Sequence, residues 1–350
     1  MTDALYRLAF IGFGTVGQGA VEFLYDRAAL LHEKYHFAVQ VVAVCTARRG
    51  TLYRPDGLDP QVLLRVARSG SLLNYPNIHG LYRDLDPLAT IRQTNANVIV
   101  EVSPTDFKTA EPAVTHCRTA FESGKHLITA NKGPLALAYR ELDALAKSKY
   151  TYFGYEATVM GGTPALQFAR ETLAGMTISN VRGIINSTTN YILTQMEAGQ
   201  SYLEALSEAQ RLGYAEADPS GDVEGHDAAG KLAILANVVM GGDVKPGDVA
   251  RTGISKLTTD DVESARRAST RWKLIASTSR KPDGTISAQV RPERLPLTDP
   301  LASVNGVTNA LTFETDLLGP ITVIGAGAGR ETGVAIISDL IDLHRHFGRG

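Results

Sequence analysis

Between Gly213 and Lys231 the chain carries Glu216, Asp218, Asp222, Glu224 and Asp227, five acids within twelve residues, broken up by Pro219, Gly221 and Gly225. The run then passes through Lys231 into Leu232-Ala233-Ile234-Leu235-Ala236. A loop this acidic that leads straight into an apolar segment buries part of its charge. Buried charge is costly unless paired, so the segment marks a site for an ammonium group, a cation or a proton transfer. Asp227 and Lys231 are four residues apart, on one face of a helix predicted from Asp227 to about Met240. Exposed, such a pair would contribute only a few tenths of a kcal/mol. Facing inward beside Leu232, Ile234 and Leu235, it becomes a proton-handling element.

The elements that must carry this chemistry begin with Tyr6-Arg7-Leu8-Ala9-Phe10-Ile11, a short buried strand. It runs into Gly12-Phe13-Gly14-Thr15-Val16-Gly17 and then a helical pattern through Val21, Phe23 and Leu24. A GxGxxG alone is a weak signal, but placed between strand and helix it reads as a dinucleotide site: one glycine turns, one admits a pyrophosphate, one packs helix on strand; the alternative is a Gly-rich turn with no ligand. The phosphates then face the positive end of the helix. A second strand, Ala38 to Val44, ends in Cys45-Thr46-Ala47-Arg48-Arg49, with no acid for a ribose 2′-hydroxyl. Two guanidinium groups there favour a 2′-phosphate, hence NADP over NAD; the alternative is that Arg48 and Arg49 merely face solvent. Val98-Ile99-Val100-Glu101-Val102 is the next strand, with Ser103-Pro104-Thr105 at its carboxyl end. His126-Leu127-Ile128-Thr129-Ala130 follows, ending in Asn131-Lys132-Gly133-Pro134. Parallel sheets bind ligands outside the carboxyl ends of their strands, which puts Ser103, Thr105 and Lys132 in the cofactor crevice. An ammonium beside a nicotinamide can stabilise or protonate a developing alkoxide; the alternative is that Lys132 is a solvated surface lysine.

Beyond residue 150 the predicted elements are a strand at Tyr152–Glu156, a helix from Ala165 to about Leu173 and a strand at Val181–Ile185. Asn186-Ser187-Thr188-Thr189-Asn190 is read as a polar loop. Ser201-Tyr202-Leu203-Glu204 is a capping box that starts a helix to Leu212, stopped by Gly213. Strands are predicted at Ile286–Val290, Leu311–Thr315 and Ile321–Ile324. Gly325-Ala326-Gly327-Ala328-Gly329 then opens a closing helix to about His346 that returns to the cofactor domain.

The bulk properties agree with a two-domain globular protein. The chain has 350 residues, 44% hydrophobic and 21% charged, with a formal charge of −2 and no basic block, which argues against nucleic acid as a partner. Cys45 and Cys117 are the only cysteines, too few for a disulfide framework or a metal cluster and suited to a reducing cytosol. No apolar stretch reaches the roughly 18–20 residues that span a bilayer, so no membrane association is expected. The expectation is a soluble, cytoplasmic protein.

These features together resemble the homoserine dehydrogenases. The resemblance rests on the early GxGxxG, Ala130-Asn131-Lys132-Gly133, Asn186 to Leu193, the loop from Gly213 to Lys231, and Gly325 to Gly329 with Asp339. It implies an α/β protein: a Rossmann-type doubly wound nucleotide-binding domain over residues 1–150, completed by a C-terminal helix at 327–350, and an α+β catalytic and dimerisation domain over 151–326. It implies reversible reduction of L-aspartate 4-semialdehyde to L-homoserine with NAD(P)H, by a homodimer. Lys132 and Lys231 then handle the proton on the substrate oxygen, meeting there when the cleft between domains closes, and Asp227 orients substrate and Lys231. Glu216 and Asp222 take the substrate's α-ammonium, Thr188 contacts substrate, and Gly327 joins the cofactor residues. Glu156 with the carbonyls of Val159, Gly161 and Thr163 resembles the family's monovalent-cation site for Na+ or K+; a bent strand-to-helix corner explains the same residues. Ser187 stands where a glycine is common and Ala326 where a proline is common. The resemblance does not extend to the regulatory ACT module of some relatives.

Two rival functions are open to test. A phosphorylating semialdehyde dehydrogenase needs a thiolate beside the nicotinamide, and neither Cys45, at a strand end on the adenosine side, nor Cys117, within a predicted helix, is placed for it. A non-catalytic NAD(P) sensor has no need of Lys132, Asp227 and Lys231.

Overall fold

Val41-Val42-Ala43-Val44 and Val98-Ile99-Val100 are runs with no polar face, the pattern of strands covered on both sides. In the computed structural model, which describes residues 4–327 and 329–348, they sit at the centre of a six-stranded sheet. Its strands are β1 (Ala4–Ile11), β2 (Phe37–Thr46), β3 (Gly50–Tyr53), β4 (Val98–Glu101), β5 (His126–Thr129) and β6 (Phe153–Gly154), in the order β3-β2-β1-β4-β5-β6. All neighbours are parallel except β3, which folds back antiparallel on β2. The winding reverses at β1, so a crevice opens beyond the carboxyl ends of β1 and β4.

The chain divides into two compact units, Met1–Gly162 with Gly329–Gly350, and Thr163–Ala328. The sequence reading placed the boundary at 150 and assigned Tyr152–Glu156 to the second domain. Instead β6 pairs with β5 in the first sheet, so this segment closes the nucleotide-binding unit. Strand pairing decides the matter, and a two-residue strand leaves almost no trace in sequence.

The last helix, Thr332–Phe347, belongs to the first unit and packs on the Thr15–Asp26 helix. Ala335, Ile336, Ile337, Leu340 and Leu343 share one core with Phe10, Val21 and Leu24. The approach is close: a Cβ on Gly19 would stand 2.6 Å from the Arg330 carbonyl oxygen. Asp339, 1% exposed, accepts hydrogen bonds from the Glu156 amide (3.1 Å) and the Tyr152 hydroxyl (3.4 Å), tying this helix to the end of the sheet.

The second unit is built on a mostly antiparallel sheet of β7 (Ile178–Ile184), β8 (Ala250–Arg251), β9 (Thr270–Arg280), β10 (Ile286–Pro296), β11 (Thr308–Thr315) and β12 (Gly319–Ala326), in the order β12-β11-β7-β9-β10-β8. The His226–Val238 helix packs across β9 and β10, and the Ser187–Glu197 helix packs against β9 and β11. Three sequence expectations need correction here. The segment Ser187–Asn190 is the first turn of a helix rather than a loop, because the Asn186 side chain caps it. The stretch after Ala165 widens into a π turn over Phe168–Thr172. Gly325 still lies in β12 and the closing helix starts only at Thr332, so Gly327 belongs to the second unit, buried against Asn309. Ala328, and the last two residues of the 327–350 segment, lie outside the described residues.

Candidate active site

Each unit carries part of the chemistry. In the first, β1 leads into Gly12, whose φ of +94° is open to glycine, and whose Cβ would come 2.5 Å from the Val102 carbonyl oxygen. Gly14 caps the Thr15–Asp26 helix with open space around the position of a Cβ, and no side chain occupies the helix's first amides. Gly17 lets that helix lie on Phe13 and Val102, with a Cβ 3.2 and 3.3 Å from their side chains. Thr15 is exposed and Val16 partly so, on the outer turn. The residues present therefore fit a dinucleotide pyrophosphate: bare amides, a helix dipole and room for backbone approach. Arg48 and Arg49 are exposed just past β2, and no partner of either guanidinium is found among the described residues.

Across the sheet, Lys132 opens the Lys132–Ser148 helix beyond β5. A cation at a helix N-terminus opposes the macrodipole and weakens the helix, so its presence there calls for a chemical reason. Asn131 caps that helix through the Gly133 amide (3.0 Å), and the Lys132 amide donates to the Thr105 hydroxyl (3.3 Å). The Asn131 amide group also donates to the Ser103 carbonyl (3.1 Å) and hydroxyl (3.2 Å). Ser103, Thr105 and Lys132 are thus drawn together at the carboxyl ends of β4 and β5.

The second unit holds the acidic cluster. Lys231, 8% exposed, is gripped by Asp227 Oδ2 at 2.7 Å and donates to the Ile185 carbonyl at 2.8 Å. The exposed surface pair weighed from the sequence is therefore an inward-facing one. Asn186 joins the cluster: its Nδ2 donates to Asp222 Oδ1 (2.6 Å) and Asp227 Oδ2 (3.1 Å), while its Oδ1 accepts from the Thr189 amide (2.9 Å). Asp222 sits on a short helical turn, Ser220–Val223, inside what reads in sequence as plain loop. Burial, reinforced by the charge of Asp227, pushes its carboxyl above the usual range, against the pull of Asn186 and Lys231. Two carboxylates share one amide donor and one ammonium, which leaves net negative charge suited to an incoming cation. Thr188 is buried at the same helix start, its hydroxyl donating to the Tyr214 carbonyl at 2.6 Å.

Sequence reasoning missed Asn186 and the Ile185 carbonyl as members of the site. An Asn after a strand and before Ser-Thr-Thr is a helix-cap signal that would have found the first; no side-chain signal marks the second. Glu216 does not join the network: it is exposed, and no hydrogen bond or ion pair of its carboxylate is found among the described residues. Of the expected cation ligands, Glu156 is 2% exposed, and successive positive φ values of 58° at Met160 and Gly161 curl the backbone beyond it. That chemistry fits a hard cation held by one carboxylate and carbonyl oxygens. Val159 and Gly161 lie in the first unit and Thr163 in the second, where its hydroxyl donates to the Ala326 carbonyl at 2.9 Å. Among the described residues no group of three or more His, Cys, Asp or Glu could hold a metal ion.

Neither thiol is available as a nucleophile. Cys117 is fully buried and burial raises its pKa well above the ordinary value; Cys45, 2% exposed, is raised by the same cause. A cavity of about 350 Å³ lined by Leu24, Val41, Arg54 and Leu58 lies at the amino end of β2, away from the glycine loop, and contains none of these residues. No helix among the described residues is long and apolar enough to cross a membrane.

Comparison with known proteins covers both units. The family model for the homoserine dehydrogenase NAD-binding domain matches residues 12–156, and that for homoserine dehydrogenase matches residues 164–341. An NAD(+)-dependent homoserine dehydrogenase of Pseudomonas canavaninivorans is 43% identical over 98% of this chain and 97% of its own. A solved structure of a putative homoserine dehydrogenase from Archaeoglobus fulgidus superposes with a TM-score of 0.86 at 37% identity, covering 97% of this chain and 99% of that one. A hyperthermophilic archaeal homoserine dehydrogenase in complex with NADPH superposes with a TM-score of 0.81 at 30% identity, over 98% of both chains.

Proposed function

We propose residue roles for a chain that belongs to the homoserine dehydrogenase family. Its activity is the reversible NAD(P)H-dependent reduction of L-aspartate 4-semialdehyde to L-homoserine, a step toward threonine, methionine and isoleucine. NAD(P)H supplies the hydride. The protein's task is to seat the aldehyde, manage charge on its oxygen and exclude look-alikes.

In our reading, Lys231 donates to the oxygen on which negative charge develops. The observation that carries this is its amine, buried and held by Asp227 and the Ile185 carbonyl, so that two of its three N–H bonds are used and one remains for substrate. Asp227 fixes that amine in place. Asp222 receives the α-ammonium, which relieves the crowding of two carboxylates, and Thr188 borders the same pocket. Glu216, exposed in this state, is assigned to the ammonium only if the loop closes over substrate. Lys132 is assigned the same substrate oxygen, from the nicotinamide side. The test is nicotinamide absorbance with homoserine as substrate. Lys231→Ala and Lys132→Ala should each lose most turnover; wild-type turnover in either would remove that residue's role.

NADP as the preferred cofactor is supported by Arg48 and Arg49, exposed after a strand that ends without an acid. Titration of both cofactors against Arg48→Ala tests it: NADP affinity should fall and NAD affinity should not. A monovalent cation, Na+ or K+, at Glu156, Val159, Gly161 and Thr163 is supported by the buried carboxylate and curled backbone, and is tested by activity across chloride salts after exhaustive dialysis. A homodimer is supported by β12, the outermost strand of its sheet, with Ile324 52% exposed and Leu317 and Leu318 70% and 62% exposed nearby. Sedimentation of Leu318→Lys against wild type tests it. A cytoplasmic location fits two buried free thiols.

A further inference from the structure

We propose that Glu101 and His116, buried behind the nucleotide crevice, are positioning residues that set the place of Lys132. Glu101 ends β4, whose other residues, Val98, Ile99 and Val100, are all fully buried and apolar. A carboxylate there, 0% exposed, costs stability that a fourth apolar residue would not. Its Oε2 is buried without a hydrogen-bond partner, so that cost is not fully relieved. Its Oε1 is fully engaged: it accepts from the Ser103 hydroxyl and lies 3.3 Å from His116 Nδ1, on the Ala113–Glu122 helix and 3% exposed.

From Glu101 two hydrogen-bonded routes reach Asn131. Along the first, Ser103 passes to the Asn131 amide group at 3.2 Å through its hydroxyl and 3.1 Å through its carbonyl. Along the second, the Thr129 hydroxyl donates to the Glu101 carbonyl (2.9 Å) and accepts from the Asn131 backbone amide (2.9 Å). Asn131 in turn caps the helix on which Lys132 is the first residue. The second route runs through the Glu101 backbone and would survive any side chain; the carboxylate, held by His116, adds the Ser103 link that ties the Ser103–Thr105 turn to the Asn131–Lys132 turn. A displacement of an ångström in such a group is enough to cost about a hundredfold in rate.

The inference rests on the role proposed for Lys132, and the experiment separates the two. Glu101→Leu and Glu101→Gln are compared with wild type and Lys132→Met for kcat, KM for homoserine, NADP affinity and urea unfolding. Glu101→Leu should keep NADP affinity and KM within about threefold, unfold at equal or higher urea, and lose 10- to 100-fold in kcat. Its isotope effect with homoserine deuterated at the carbinol carbon, the source of the hydride, should rise as hydride transfer becomes limiting. Glu101→Gln, which can still accept from Ser103, should recover most of kcat. If Glu101→Leu does not fold, His116→Leu must show the same loss confined to kcat. Wild-type kcat in the folded variants, or a loss confined to unfolding or to KM, overturns the inference. Wild-type turnover in Lys132→Met instead overturns the role of that lysine, whatever the Glu101 variants do.

Discussion

Replacing Lys231 by methionine separates its two duties, because the amine serves Asp227 at 2.7 Å and the Ile185 carbonyl at 2.8 Å from a side chain only 10% exposed. Methionine fills similar space but removes the cation from beside a carboxylate whose side chain is 18% exposed. Removing one partner of a buried ion pair typically costs about 3–5 kcal/mol of stability. Adding Asp227→Asn deletes the stranded charge, so the double variant should regain all but about 1–2 kcal/mol, the cost of the unsatisfied carbonyl. Turnover should follow a different course. One preorganised donor to a developing oxyanion is worth about 3 kcal/mol of barrier, which is roughly 150-fold in kcat. Urea unfolding and saturating-substrate turnover per folded molecule would be measured on both variants. Stability should return in the double variant and kcat should not. Recovery of both together, or a loss under tenfold in Lys231→Met, would refute the assignment of this amine to the substrate oxygen.

Other perturbations follow from the same geometry. Asp222→Asn keeps an acceptor for Asn186 but removes the charge that crowds Asp227; a carboxyl raised in the folded state costs stability as pH climbs past its ordinary value of 3.8. Thermal unfolding of the variant should therefore lose that decline and match or exceed wild type at pH 7, while KM for homoserine rises at least about tenfold. Lys273, fully buried in β9, is lowered by burial from 10.5 to about 8, against the opposing charge of Glu197. Between those pH values the unfolded chain holds a proton that the folded one has shed, so stability rises with pH, by up to about 3 kcal/mol at 1.36 kcal/mol per unit. Lys273→Met should flatten that rise in denaturant titrations from pH 7.5 to 10.5; an unchanged slope would mean the ammonium is not the source. The slope difference isolates this residue, since Lys125 is also lowered by burial to about 8 and remains in both proteins. Gly12→Ala places a Cβ 2.5 Å from the Val102 oxygen at a φ of +94°, so it should cost on the order of 2 kcal/mol and weaken NADP binding, read by fluorescence titration.

The parts legible in sequence were those fixed by local rules. β1 with its glycine turn, the Ser201–Glu204 capping box and the Asp227–Lys231 spacing each state their geometry within a few residues. β9 was not legible, because Lys273 occupies an inward position where strand alternation calls for an apolar residue. Its ammonium is satisfied by Asn190, Val304 and Asn305, partners far away in the chain. The start of the Ser187–Glu197 helix was hidden for a related reason. Ser187, Thr188, Thr189 and Asn190 are weak helix formers that read as loop, and a side-chain cap with tertiary contacts overrides that preference. Glu101 and His116 look unremarkable in sequence, since their meaning lies in which loops they join.

The Gly19–Arg330 approach has a consequence for how the polypeptide is made. A ribosome delivers the Thr15–Asp26 helix early, but the aliphatic face that covers it, Ala335 to Leu343, emerges only after the whole of the middle unit. The middle unit is continuous from Thr163 to Ala328 and has all its pairing strands in hand before then. Synthesis and maturation therefore run in opposite order: the earlier segment waits, its hydrophobic flank open to chaperones, until the Thr332–Phe347 helix arrives.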